Sequence, residues 1–258
     1  MPTTPDQPEI RQPPKRGGRM GPDAVVEEVS VWLEINRVPV VTWMCTPELL
    51  EELAIGWLHG EGFIDSLDQV RLRPCATDLG FWAEIPDERV ARVDNEGRQR
   101  VLASGCGAVA TYLADPTTVE PGEVRGDAPP TERFRELFKG LFALGARYRE
   151  TGGIHAAALT DGEKLLSHAE DIGRHNAVDK VVGTALLAGR GIQGLGLLVT
   201  GRISAELAYK ASRAGLVYVA TPSVPSTLAV EIARRAGMRL VGRAVSGRPQ
   251  LHGADEDP

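Results

Sequence analysis

Cysteine is scarce in this chain: its 258 residues carry three, Cys45, Cys75 and Cys106, and none follows position 106. Three thiols make no even set at framework spacing, which excludes a disulfide-stapled secreted fold and points to a cytoplasmic protein with reduced thiols. Long apolar runs are missing too. None approaches the roughly 20 residues of a membrane span. The opening MPTTPDQPEIRQPPKRGGRMGP, rich in Pro, Arg and Gly, lacks the apolar stretch of a secretory signal. Residues 1–24 therefore read as a disordered tail, and neither a membrane nor DNA or RNA is an expected partner.

The bulk composition, 42% hydrophobic and 25% charged, is that of a soluble globular protein with one or two domains. The net charge of −6 conceals an asymmetry. Residues 1–128 hold 12 Lys and Arg against 22 Asp and Glu, and residues 129–248 hold 17 against 10. A basic second half suits an anion such as a phosphate group or an acidic partner, although charges spread over a solvated surface would give the same count.

Periodicity divides the chain in two. VEEVSVWLEINRVPVV alternates apolar and polar residues on both sides of NR and predicts a β-hairpin over 26–41. In TPELLEELAIGWLHGEG, Thr46 is placed to cap a helix that starts at Pro47 and carries one apolar stripe up to Gly60. FWAEI, RVARV, the turn DNEG and RQRVLAS read as further strands and a turn. Together they predict a smaller α+β domain over 25–118. The polar, Pro-rich residues 119–130 read as a linker.

TERFRELFKGLFALGARYRE then predicts a helix capped by Thr131, and IHAAALT with KLLSHAE a second hairpin. From NAVDKVVGTALLAG onward, helix and strand alternate: GLLVT, ISAELAYKASRAG, LVYVAT, STLAVEIARRAG and MRLVGRAV. Such alternation means right-handed crossovers and a mostly parallel sheet covered by helices, an α/β domain over 131–248. Residues 249–258 read as an acidic tail.

Sheets of this kind bind ligands at the carboxyl ends of their strands, where helix N-termini present free amide groups. Thr200-Gly201-Arg202, Thr221-Pro222-Ser223 and the segment from Arg243 to Arg248 fall at three such ends, and each alone could equally be a capped turn. Arg202, Arg243 and Arg248 are the candidate anion contacts, since a guanidinium grips phosphate with two prongs. AEDIGRHNAVDK is the other dense polar segment. There His175 and Asp179 lie one turn apart on one helix face, either as a solvated pair or as a histidine held by a carboxylate that can move a proton or bind an anion. His155 and His168 read as structural or solvent-facing.

The sharpest chemical signal is SGCGAVA, residues 104–110, where Cys106 stands between two glycines. Small neighbours let another molecule approach the thiol, and a helix starting in AVATYLA would favour its thiolate. Cys45 and Cys75 sit among larger residues, one of them Pro in each case, and read as buried, inert thiols.

TPELLEELAIGWLHGEGFI, the cysteine stretch, TGGIHAAAL, EDIGRHNAVDKVVG, VTGRIS, TPSVPSTLAVEIA and LVGRAVSGR follow the order and spacing of the formate dehydrogenase accessory sulfurtransferase (FdhD) family, which the chain resembles over most of 28–248. The resemblance implies a cytidine-deaminase-like three-layer α/β domain with a smaller N-terminal α+β domain, working as a homodimer. It implies a sulfurtransferase that takes persulfide sulfur from a cysteine desulfurase and delivers it to the molybdenum cofactor, Mo-bis-molybdopterin guanine dinucleotide, needed by formate dehydrogenase. It places the persulfide on Cys106, the first cysteine of the family's Cys-Gly-x-Cys-Gly loop. The family's cofactor-binding run falls on Arg243, Ala244, Val245, Ser246, Gly247 and Arg248, to which the residue reading adds Arg202 and His175.

One departure stands out. Val109 and Ala110 replace the second cysteine and its glycine, so this loop cannot close an internal disulfide. A non-catalytic chaperone of the cofactor is therefore the rival reading. A cysteine hydrolase pairing Cys106 with His175 is a further alternative. A zinc deaminase is excluded, because the second half has no cysteine and His155 is followed by Ala-Ala rather than by a glutamate.

Overall fold

The computed structural model describes residues 25–95, 101–102, 110–111 and 120–254. The first unit opens with the expected hairpin, β1 (Val29–Ile35) and β2 (Val38–Cys45), paired antiparallel. The turn residues Asn36 and Arg37 both have positive φ, 49° and 70°, the backbone that matches the twist of the strands. The Asn36 side chain secures the turn by donating to the Ile85 carbonyl at 2.9 Å. β3 (Arg71–Pro74) and β4 (Gly80–Glu84) complete a sheet of order β2-β1-β4-β3.

Helix α1 spans Leu50–Gly60, starting three residues later than the Thr46-Pro47 signal predicts. Its first-turn boundary is Leu49 at φ 53°, and Thr46 makes no cap there. Thr46 is fully buried, because its hydroxyl has been drawn to Asp171 and Lys180 in the second unit. RVARV, expected as a strand, lies in helix α2 (Asp87–Asn95), which begins with the acidic first turn Asp87-Glu88 after Pro86. β5 (Val101–Leu102) and β6 (Ala110–Thr111) pair antiparallel, with Leu102 opposite Ala110. Behind the first sheet, Trp57 stacks on Phe63 and meets Trp43 edge to face, an aromatic group set within a largely aliphatic core.

The second unit carries α3 (Arg133–Leu144) and α4 (Ala146–Thr151), broken at Gly145 where one helix was expected. Glu132, not Thr131, occupies the boundary of α3, without a side-chain cap. β7 (His155–Thr160) and β8 (Leu165–Asp171) form the second hairpin, and α5 (Arg174–Leu187), β9 (Gly196–Val199), α6 (Ala205–Arg213), β10 (Tyr218–Ala220), α7 (Thr227–Ala236) and β11 (Arg239–Gly242) follow in the expected alternation. Residues 250–253, within the segment read as an acidic tail, form an edge strand, β12 (Gln250–Gly253), antiparallel to β11.

The six strands run in the order β12-β11-β10-β9-β7-β8, with β9, β10 and β11 parallel and β7 antiparallel to both neighbours. α5 packs on the β7–β8 part of one face, where the Ser167 hydroxyl donates to the Val181 carbonyl. α3 covers the other face, where Phe134 meets the Tyr218 ring edge to face at 5.6 Å. Gly196 makes room for that ring, since a Cβ there would stand 1.9 Å from it. Residues 120–130 run back along the second unit, with Val124 buried and its N–H donating to Ala236 at 2.9 Å.

The two units share α1 and α5, which touch through their backbones. A Cβ on Gly183 would lie 1.9 Å from the Glu52 carbonyl oxygen, so only glycine permits the approach. Polar side chains cross the same seam. Lys180, with its side chain fully buried, donates to Asp171 at 2.6 Å and to the Thr46 carbonyl at 3.0 Å, and Asn176 donates to the Met44 carbonyl at 3.0 Å.

Candidate functional site

Strand directions bring Asp171, His155, Thr200, Thr221 and Arg243 to one edge of the second sheet. Short bonds stitch that edge together. The Thr221 hydroxyl donates to the Gly201 carbonyl at 2.6 Å, Ala244 N–H to the Thr221 carbonyl at 2.9 Å, and Arg243 N–H to the Ser223 carbonyl at 2.7 Å. α6 and α7 start here, capped by Ser204 and Ser226. α5 also starts here, from Gly173, with no side-chain cap. Three helix N-termini therefore converge on one edge, an arrangement that favours anions.

The structure brings most of the predicted site residues to this edge. Arg202 and Arg243 are exposed just past the ends of β9 and β11, which flank β10. Arg243 holds φ 50°, an uncommon backbone for a side chain of this size and of the kind found at ligand clamps. Ala244 is buried, Val245 and Ser246 are half-buried, and Gly247 and Arg248 are exposed. Arg248 N–H donates to the Ser246 hydroxyl at 3.2 Å, which tightens the turn into β12. Nothing would lie within 4 Å of a Cβ on Gly247, leaving the turn open to solvent. Cys106 and Val109 lie outside the described residues, in the segment bracketed by β5 and β6.

His175 is at the edge, but not as a solvated pair with Asp179. His175 and Asp179 are 7% and 3% exposed, and Asp179 gives both carboxylate oxygens to Lys210, at 3.0 and 3.3 Å. His175 Nε2 turns instead to the Ser204 hydroxyl at 3.2 Å and to Glu206 at 3.5 Å. The carboxyl group that faces the histidine is thus that of Glu206 on α6, not that of Asp179. Burial pushes His175 well below the usual imidazole range, helped by Lys210, Arg174 and His155. His155 is half-buried, faces Gly201 and is lowered in the same way, by burial and by Arg174.

The residues that sequence reasoning missed lie behind the edge. Lys210 is ion-paired with Glu61, the residue that ends α1, as well as with Asp179, each at 3.0 Å. Burial raises Glu206 to about 7 and Asp179 to about 6, in each case against the pull of Lys210. Glu206 and Lys210 stand one turn apart in ISAELAYK, the one local signal available.

The other two thiols differ from each other. Cys45 is buried, which pushes its thiol up to about 12. Cys75, expected to be buried, is partly exposed. Hydrogen bonds from Thr77 lower its pKa.

Residues 26–256 match the FdhD/NarQ family. The chain belongs to that family. It is 32% identical over 228 residues to the sulfur carrier protein FdhD of Bacillus subtilis (strain 168), covering 87% of this chain and 86% of the relative. It is 36% identical over 245 residues to the sulfur carrier protein FdhD of Xanthomonas campestris pv. campestris (strain B100), covering 89% and 84%. A crystal structure titled as that of a candidate formate dehydrogenase accessory protein, from Desulfotalea psychrophila, shares the fold with a TM-score of 0.69 over 90% of this chain and 89% of the other, at 23% identity. Among the described residues no helix is long and apolar enough to cross a membrane.

Proposed function

We propose that this protein is a cytoplasmic, homodimeric sulfurtransferase that carries persulfide sulfur on Cys106. Its donor is a cysteine desulfurase, and its cargo is Mo-bis-molybdopterin guanine dinucleotide destined for formate dehydrogenase. The observation that carries this reading is the alignment of nearly the whole chain with relatives named sulfur carrier proteins. The stitched strand-end edge supports the cargo. Arg202, Arg243 and Arg248 stand where three helix N-termini converge, a setting fitted to nucleotide pyrophosphates. The mixed sheet, with α3 on one face and α5 on the other, is in keeping with a cytidine-deaminase-like three-layer domain.

Loading needs one nucleophile. The Cys106 thiolate attacks the outer sulfur of the donor's persulfide, a new S–S bond forms on Cys106, and the donor cysteine leaves as its thiolate. No second thiol takes part, so Val109 does not prevent this step. The same substitution favours the second reading, a chaperone that binds the cofactor without transferring sulfur.

Incubation with a cysteine desulfurase and free cysteine separates the two. The sulfurtransferase reading expects the peptide containing Cys106 to gain one sulfur atom, reversibly on reduction, and Cys106→Ser to lose both the mass gain and formate dehydrogenase maturation. No sulfur uptake, with maturation intact in Cys106→Ser, would leave the chaperone.

A further inference from the structure

Six side chains form a buried polar cluster directly behind the strand ends. Glu61 reaches it from the C-terminal boundary of α1, His175 and Asp179 from α5, and Glu206 and Lys210 from α6, with the α6 cap Ser204 beside them. Lys210 Nζ lies 3.0 Å from Glu61 and 3.0 Å from Asp179. Glu206 Oε2 lies 3.5 Å from His175 Nε2, and Glu206 Oε1 is buried with no hydrogen-bond partner. Three carboxyl groups thus gather around one ammonium, with the Arg174 guanidinium as the further cation drawing on Glu206. Arg174 and His155 bear on His175 from the strand-end side, and Asp171 bears on Asp179 from β8.

Surplus negative charge in a medium of low dielectric is costly, and a bound proton is the smallest correction. Lys210 already serves Glu61 and Asp179 directly. Glu206, which has no bond to it, is left to hold the proton. A protonated Glu206 donates to Nε2 of His175, so the neutral ring must carry its own hydrogen on Nδ1. An ionised Glu206 can only accept, which moves that hydrogen to Nε2 and places a negative charge in competition for Arg174.

We propose that Glu206 is a positioning residue that sets the tautomer of His175 and, through it and Arg174, the anion affinity of the strand-end edge. The second half of this proposal rests on reading that edge as a phosphate site; the first half does not.

Full-length protein labelled with ¹⁵N-histidine tests both halves between pH 6 and 8.5, with His175→Gln assigning the signals. The wild-type ring should pass from the Nδ1–H to the Nε2–H form, whereas Glu206→Gln, whose amide can still donate, should keep Nδ1–H throughout. A single tautomer in the wild type at every pH overturns the proposal, even if Glu206→Gln fails to fold, and so does a transition that survives in Glu206→Gln. GDP titrations on the same samples give the second readout. Wild-type affinity should fall relative to Glu206→Gln by roughly five-fold or more across this range, the low end for coupling between linked sites. Equal pH dependence in the two proteins overturns the link to the edge. Absence of GDP binding in both overturns that link and the phosphate reading together, while the ring nitrogens still decide the role of Glu206.

Discussion

A Cβ placed on Gly56 would stand 1.8 Å from the carbonyl oxygen of Asp179, so α1 and α5 cross in backbone contact. Exchanging an exposed helical glycine for alanine gains up to about 1 kcal/mol of helix propensity. At this crossing the sign reverses. Gly56→Ala should lower stability by about 1–3 kcal/mol or more, the range for overpacking, and Gly183→Ala should do the same. Urea unfolding of each variant measures the effect, and a stabilised variant would refute the contact.

Stability should peak in mildly acidic solution. Glu206 is raised from 4.5 to about 7, chiefly by burial, so its contribution is fully present below pH 4.5 and is lost as pH rises through 7. His168 and His59 are lowered from 6.5 to about 4, again chiefly by burial, so their contribution is present above pH 6.5 and is lost as pH falls through 4. Glu206→Gln should therefore match the wild type near pH 4.5 and exceed it at pH 8 by up to roughly 3 kcal/mol, the equivalent of a shift of this size. Thermal melts at the two pH values check the sign.

Arg248→Ala should weaken GDP binding by about 1.5–3 kcal/mol, the range for a hydrogen bond to a charged group. Wild-type affinity should fall as salt is raised, because the contacts are to anions at an exposed edge. Calorimetry in low and high salt gives both numbers. Unchanged affinity in the variant would remove Arg248 from the site.

Alkylation should tell Cys75 from Cys45. Thiolate character and exposure set the reactivity of a thiol. Cys75 is partly exposed with its pKa lowered by hydrogen bonds from Thr77, whereas Cys45 is buried with its pKa raised. Iodoacetamide at neutral pH should label Cys75 within the native protein and reach Cys45 only on unfolding, as peptide mass mapping would show. Sulfur-loading experiments accordingly need Cys75→Ser as a background.

The alternation of strands and helices from α5 onward was legible because each element buries a face whose period shows in the sequence. What was not legible depended on partners far away in the chain. RVARV satisfies an alternating pattern, yet Pro86 and the acidic Asp87-Glu88 start a helix there. Thr46 has the residue type and place of a cap, but Asp171, 125 residues on, takes its hydroxyl. His175 and Asp179 have the spacing of a pair, but Lys210, 31 residues past Asp179, claims the carboxylate. Spacing shows which side chains can meet along one helix. It carries no information on a competitor brought in from another element.

The seam between the units decides what can be exchanged within the family. Glu61 and Thr46, both in the first unit, supply partners to Lys210 and Lys180, both rooted in helices of the second. A chimera that joins the first half of one relative to the second half of another would fold only if it inherited matching donors and acceptors on both sides, since a single buried ammonium left without its acceptor costs several kcal/mol. The two halves are therefore constrained to change together, and substitutions at Thr46 or Glu61 should be tolerated only with compensating ones at Lys180 or Lys210.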